Sequence, residues 1–286
     1  MTSLFDFEAR VDHYAVMGNP IGHSKSPRIH TLFAQQTGQN IDYQAIQVDE
    51  GGFRQAVGNF FANGGKGLNI TVPFKQQAYE LSESLSDRAK SAKAVNTLLI
   101  NDDGKIFGDN TDGIGLLRDL MQNHGIALKS KSVLLIGAGG AARGVIPSLV
   151  ESDIKSLHIV NRTPKRAYDL RDAFIEFTQI SASAFDTLPE SAFDIVINAS
   201  ASSLQGDIPP LADTSVHSES CCYDLMYAAQ ATPFLNWAIG LGVQHCYDGL
   251  GMLVEQAAES FFLWRKLRPQ TAAVISQLKQ DLLLTG

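Results

Sequence analysis

The sequence predicts an α/β protein of two lobes. One is an N-terminal α/β unit. The other is a doubly wound parallel sheet, with a cleft expected between them. Three observations carry this. Extended and helical signals alternate through the first third of the chain. Near Lys131 a fully apolar run enters a glycine-rich turn and then a helix. Strand signals then recur with helical segments between most of them, which is the pattern of β-α-β units.

Taken in order, His13–Gly18, Tyr43–Asp49, Gly67–Val72 and Val95–Ile100 read as strands, and Lys105–Gly108 as a short addition. Pro27–Gln36 reads as a helix, with Ser26 as its N-cap and Pro27 at its first position. Glu50–Asn63 reads as a second helix. Val133–Ile136 has the continuous apolar character of a buried parallel strand. Leu157–Val160, Asp194–Ala199, Tyr223–Met226 and Val243–Tyr247 repeat the signal. Met252–Leu267 and Thr271–Leu284 are helical, with a break at Pro269. Residues 1–112, with the C-terminal helices of 250–286 packing back, are expected to form one lobe. Residues 113–249 form the other. Helical segments at Gly113–Asn123 and Gly249–Phe262 join them, an arrangement that permits hinge closure.

Composition removes several classes. The chain has 286 residues, 23 basic and 30 acidic side chains, and a net charge of −7. An acidic chain without a basic block excludes nucleic acid as a main partner. Any anionic ligand must be held by local charge. Cys221, Cys222 and Cys246 form no disulfide framework and lack zinc-site spacing, so no metal is expected. A reducing compartment, the cytoplasm, is the expected location. The opening MTSLFDFEAR has neither the basic segment nor the apolar run of a signal peptide. No apolar stretch approaches the ~18 residues of a membrane helix. Monomer and homodimer both remain open.

The glycine turn is the most informative motif. Gly137-Ala138-Gly139-Gly140-Ala141-Ala142 is G-x-G-x-x-A directly after a strand. Gly137 permits the tight turn, Gly139 lets the backbone approach a pyrophosphate, and Ala142 lets the helix pack against the strand. The helix start then offers free N–H groups to phosphate. Asn161 lies about 24 residues beyond Gly137, near the roughly 20 expected for the ribose-reading position. An NAD enzyme would place a carboxylate there. This chain has Asn161-Arg162-Thr163-Pro164-Lys165-Arg166. Cations at a helix start oppose its macrodipole, so they point to a bound anion. The cofactor read from these residues is NADP(H), with its 2′-phosphate among the cations.

Polar residues cluster on loops of the first lobe. Ser24 and Ser26 are two hydroxyls just before a helix, a geometry suited to a carboxylate. Asn69 and Thr71 share one face of a strand, with Ile70 and Val72 turned into a core, and Lys75 follows. Such a face can line a polyol pocket. Asn96 supplies an amide at a strand start, Asp112 lies in the polar turn Gly108–Gly113, and Gln256 lies on a helix that can face the cleft.

NPIGHSKSP, NITVPFK, AVNT, GDNTDG, GAGGAAR, NRT, DLMY and DGLGMLVEQAA occur in an order that resembles the shikimate dehydrogenase family, over Asn19–Ala258. The resemblance is to its monofunctional, NADP-dependent members of aromatic amino acid biosynthesis. It implies an N-terminal substrate-binding domain, a Rossmann-type cofactor domain, and reversible reduction of 3-dehydroshikimate to shikimate by NADPH. It implies Lys75 and Asp112 as the catalytic pair. Ser24 and Ser26 would bind the carboxylate with help from Tyr227. Asn69, Thr71, Asn96 and Gln256 would meet ring hydroxyls. Gly137, Ala138, Gly139, Gly140 and Ala141 would hold the pyrophosphate. Asn161, Arg162, Thr163, Lys165 and Arg166 would hold the 2′-phosphate side. Leu225 and Gly249 match positions near the nicotinamide. Asp87 matches a cofactor contact, although an ion pair with Arg88 or Lys90 explains it equally well. Ser203 departs from the pattern, where the family often carries glycine. Two alternatives are a quinate/shikimate dehydrogenase with relaxed cofactor choice and a non-catalytic NADP-binding regulatory module.

Overall fold

The computed structural model describes residues 11–177, 179–200 and 202–285. The opening MTSLFDFEAR segment lies outside the described residues.

The first sheet is built from β1 (Asp12–Gly18), β2 (Ile41–Gln47), β3 (Gly67–Ile70), β4 (Ser84–Leu85), β5 (Thr97–Ile100) and β6 (Ile106–Asp109). Its order is β2-β1-β3-β5-β6-β4. β1 runs parallel to β2 and β3, whereas β5 pairs antiparallel with both β3 and β6. Helices α1 (Ser26–Thr37), α2 (Phe53–Ala62), α3 (Lys75–Leu81) and α4 (Asp87–Ala92) connect these strands. β1 is apolar on both faces because both are covered. Ala15 and Met17 face Phe53, Val57 and Phe74, while Tyr14 and Val16 pack with Tyr43 and Trp264.

The second sheet holds β7 (Ser132–Ile136), β8 (Ser156–Val160), β9 (Ile180–Ser183), β10 (Ile195–Asn198), β11 (Cys221–Asp224) and β12 (His245–Asp248). It is parallel throughout, in the order β12-β11-β10-β7-β8-β9. The order reverses between β7 and β10, where sheets of this kind bind ligands at the strands' carboxyl ends. Helices α6 (Gly140–Glu151), α7 (Pro164–Asp172) and α8 (Pro233–Gly240) complete this lobe.

Two helical connections join the sheets. α5 (Asp112–Arg118) continues into a π turn at Asp119–Asn123, and α9 (Leu250–Arg265) leads to α10 (Thr271–Thr285). α5 and α9 cross in close contact. A Cβ on Gly115 would lie 2.7 Å from the Gln256 Cβ, so this position has no room for a side chain. α9 and α10 return to the first lobe, burying Val254, Phe261, Val274 and Leu278 against Ile29 and Phe33 of α1.

Several sequence expectations need correction. Lys25, not Ser26, is the N-cap of α1, and Ser26 is the buried first residue of the helix. β3 stops at Ile70 because the Thr71 N–H reaches back to the Met17 carbonyl and Phe74 closes a turn onto Thr71. Val72 is therefore 69% exposed and does not enter the core. Helix Glu50–Asn63 divides into a 3-10 turn at Glu50–Gly52 and α2. α3, α4, β4 and β9 were not foreseen. They are two to seven residues long, too short for periodicity to register.

Candidate active site

The site begins with two helix starts. Lys75 opens α3, and its carbonyl accepts from Val95 N–H at 2.9 Å, which fastens it beside the lead into β5. Asp112 opens α5 just past the end of β6. The Lys75 Nζ donates to Asp112 Oδ2 at 2.5 Å, with the side chains 19% and 8% exposed. Solvent screens such a half-sheltered pair only in part. α6 of the second lobe runs close by, and a Cβ on Gly144 would lie 2.8 Å from Asp112 Oδ2. The pair therefore sits at the junction of the lobes.

Asn96 holds Asp112 in place. Its amide donates to Asp112 Oδ1 at 2.8 Å and to Thr111 Oγ1 at 2.9 Å, and reaches Gln256 Oε1 at 3.3 Å. Its carbonyl accepts from Thr111 N–H and from the Thr97 hydroxyl, both at 2.9 Å. Gln256 thus meets the cluster from α9, as the sequence suggested. Asn69 is buried below. It accepts from the Tyr43 hydroxyl at 2.7 Å and donates to Ser260 Oγ at 2.9 Å and Thr97 Oγ1 at 3.2 Å. Thr71 is half-buried above it, at the mouth.

Ser24 and Ser26 lie together at the start of α1, where the Ser26 N–H reaches Ser24 Oγ at 3.3 Å. Tyr227 follows β11 yet packs into the cluster that contains Ile29 and Phe33 of α1. The second lobe thereby brings a phenol to the first. Burial, reinforced by Asp248, raises the Tyr227 pKa, so its hydroxyl stays a proton donor. On the inner face of α1, His30 is fully buried and stacked on Tyr43 at 4.1 Å. Burial pushes its pKa down to about 3.

In the second lobe, Gly137 takes φ +109°, a conformation that only glycine adopts freely, and its N–H donates to the Val160 carbonyl at 2.7 Å. No side chain caps α6, and Cβ atoms built on Gly139 or Gly140 would meet only open space. Ala142 is buried in the sheet core. Free N–H groups facing a cradle of this kind fit a dinucleotide pyrophosphate. Ala138 and Ala141 complete the turn. Past β8, the Asn161 amide donates to the Thr163 carbonyl, and Thr163 is the N-cap of α7. Lys165 pairs with Asp169 at 2.7 Å. Among the described residues, neither Arg162 nor Arg166 has a side-chain partner. Two guanidinium groups without side-chain partners thus stand near the start of α7.

Leu225 and Gly249 touch. A Cβ on Gly249 would meet the Leu225 carbonyl at 2.2 Å. Asp87 is 98% exposed and pairs with Lys90 at 2.9 Å, while Arg88 turns away to Asp109. Asp87 nevertheless lies on α4, which packs against α6. Ser203 donates to the buried Asp224 carboxylate at 2.6 Å, a bond that glycine could not make. Sequence reading missed the supporting residues Thr111, Ser260 and Tyr43, and it offered Arg88 to Asp87 where the structure pairs it with Asp109. Thr111 lay in the polar turn already singled out. The others carry no local signal.

The fold and the site together define the class of two-lobed, dinucleotide-dependent dehydrogenases. Family models match in three segments: a shikimate dehydrogenase substrate-binding domain over residues 16–98, a shikimate/quinate 5-dehydrogenase domain over 119–205, and a shikimate 5′-dehydrogenase C-terminal domain over 249–279. Shikimate dehydrogenase (NADP(+)) of Hahella chejuensis is 52% identical over 270 residues, covering 94% of this chain and 99% of that one. An Ael1 enzyme from Pseudomonas putida superposes with TM-score 0.88 at 46% identity, covering 93% of this chain and 98% of the other. Shikimate 5-dehydrogenase of Thermus thermophilus, solved with NADP(H) and shikimate, superposes with TM-score 0.84 at 31% identity, covering 95% and 100%. The chain belongs to the shikimate dehydrogenase family.

Proposed function

We propose that this chain reversibly reduces 3-dehydroshikimate to shikimate with NADPH. The observation that carries the reading is the largely buried Lys75–Asp112 pair, which lies against α6 where Gly144 approaches Asp112. In this reading residues 1–112 and 250–286 hold the substrate, and 113–249 hold the cofactor.

NADPH, when bound, supplies the hydride. The protein's residues do the rest. Reduction of a ketone leaves negative charge on oxygen, which needs a proton and a nearby cation. The Lys75 ammonium supplies both. Asp112 accepts from Lys75 through Oδ2 and from Asn96 through Oδ1, so its carboxylate keeps a fixed orientation beside the reacting oxygens. Ser24, Ser26 and Tyr227 donate to the substrate carboxylate. Thr71, Asn96 and Gln256 face the ring hydroxyls, and Asn69 supports them from below. Gly137, Ala138, Gly139, Gly140 and Ala141 hold the pyrophosphate. Arg162 and Arg166 take the 2′-phosphate, with Asn161 and Thr163 shaping the turn. Leu225 and Gly249 form the wall beside the nicotinamide. Asp87 is a rim contact at most. The enzyme works in the cytoplasm, where its three free cysteines stay reduced.

Lys75→Ala tests the reading. Turnover should fall roughly 10²- to 10⁴-fold, the range for a positioned acid–base group, with NADP+ binding unchanged. Near-normal turnover would remove Lys75 from the mechanism.

A further inference from the structure

A second charged cluster lies behind the catalytic pair. The Arg88 guanidinium grips Asp109 with two bonds, Nε to Oδ1 at 2.7 Å and Nη2 to Oδ2 at 2.6 Å. The same Nη2 reaches Glu259 Oε1 of α9 at 3.1 Å. Glu259 Oε2 also accepts from Arg118 of α5 at 2.6 Å and from Arg268 at 2.8 Å. Asp109 is 2% exposed and Glu259 8%. Burial works against the Arg88 charge, yet Asp109 and Glu259 outweigh it and raise its pKa. None of these side chains lies among the residues that meet substrate or cofactor.

The cluster leads to the reacting pair by two routes. Asp109 is three residues from Asp112. Its Oδ1 accepts from Asn110 N–H at 2.7 Å and from the Ser86 hydroxyl. The Asn110 side-chain Oδ1 then accepts from Asp112 N–H at 3.1 Å, and its Nδ2 donates to the Ala94 carbonyl at 3.0 Å. The second route runs along α9. Glu259 sits one turn beyond Gln256, whose Oε1 accepts from Asn96 and Thr111. Arg88 therefore ties the loop bearing Asp112 to the helix bearing Gln256, beside the second tie that Arg118 of α5 makes to Glu259.

We propose that Arg88 is a positioning residue for the reaction, acting through Asp109 on Asp112 and through Glu259 on Gln256. The proposal rests on Lys75 and Asp112 being the reacting pair. Removing Arg88 leaves two carboxylates buried without their shared partner. The Asp112 loop and α9 then relax apart. Displacements of about 1 Å at reacting groups cost on the order of 100-fold in rate. Among the described residues Arg268 hydrogen-bonds only to Glu259, lies over the Phe262 ring and is 35% exposed, so its loss should hardly be felt.

The test compares Arg88→Met, Arg88→Lys, Glu259→Gln, Arg268→Ala and Lys75→Ala. Each is assayed well below its own melting temperature, with kcat, the KM for shikimate and the dissociation constant of NADP+ measured separately. The expected result for Arg88→Met is a kcat lowered about 10- to 100-fold with NADP+ affinity unchanged. Arg88→Lys should recover part of that loss. Glu259→Gln should raise the shikimate KM severalfold, and Arg268→Ala should stay within about twofold of wild type. If Arg88→Met does not fold, Arg88→Lys and Glu259→Gln carry the test alone. Wild-type kcat and KM in both would overturn the proposal, as would a lowered melting temperature with unchanged kinetics. If Lys75→Ala retained turnover, the assignment of the reacting pair would fall, and this proposal with it. An inactive Lys75→Ala beside fully active Arg88 variants would overturn the Arg88 role alone.

Discussion

Cofactor choice should respond to Arg162 and Arg166 and largely ignore Lys165. NADP+ differs from NAD+ by one phosphate, so selectivity depends on the side chains that meet it. Lys165 is 81% exposed and spends its charge on Asp169, one turn along α7. Among the described residues Arg162 and Arg166 have no such partner, and they stand at the carboxyl end of β8 and the start of α7. A hydrogen bond to a charged group contributes about 1.5–3 kcal/mol. Both arginines are exposed, so solvent screening places each near the lower end. At about 1.5–2 kcal/mol, Arg162→Ala and Arg166→Ala should each weaken NADP+ binding roughly 10- to 30-fold. NAD+ affinity should barely move, and Lys165→Ala should change NADP+ affinity by less than about threefold. Raising salt should weaken NADP+ binding more than NAD+ binding. Titrating both dinucleotides into each variant measures all of this. An equal loss for NAD+ and NADP+ would show damage to the turn, not loss of a phosphate contact. Unchanged NADP+ affinity would place the phosphate elsewhere.

Ser24→Ala and Ser26→Ala should each weaken shikimate binding by about 1.5–3 kcal/mol and leave NADP+ binding intact. A loss confined to NADP+ in calorimetric titrations would reverse the assignment of the lobes. His30 should make the fold sensitive to acid. Its folded pKa of about 3 lies below the unfolded value of 6.5, so between those values the unfolded chain binds the extra proton. Its contribution is complete above pH 6.5 and is lost as pH falls toward 3, by up to about 1.4 kcal/mol per pH unit. His30→Phe, which keeps the stack on Tyr43, should flatten that slope. Urea midpoints at pH 7 and pH 4.5 that shift equally in both proteins would contradict this.

Much of this molecule can be read from local sequence, and the boundary has physical causes. The parallel second sheet is legible because buried strands such as Val133–Ile136 are apolar without interruption and the Gly137 turn has one dominant use. The segments bearing Ser24, Lys75 and Asp112 are also visible, since polar residues crowd onto short turns between apolar runs. Contacts across sequence are not visible. Asn69 and Thr71 read as one polar strand face lining a polyol pocket. Tertiary pairing with Tyr43, Thr97 and Ser260 buries the first, and the strand ends before the second. Val72 broke the alternation for the same reason. The Arg88–Asp109–Glu259 cluster joins residues as much as 171 positions apart, and no periodicity anticipates that. Tyr227 packs with residues of α1, α9 and α10 that are distant in sequence, a contact that no local pattern shows.

The most direct test is a four-way comparison of initial rates: shikimate or quinate, each with NADP+ or NAD+. Free guanidinium groups at β8 and paired hydroxyls before α1 predict the highest kcat/KM for shikimate with NADP+, with a loss on changing either component. Equal rates with quinate, or with NAD+, would indicate a relaxed quinate/shikimate dehydrogenase. No turnover with any pair would contradict the assignment of Lys75 and Asp112 as a working catalytic pair.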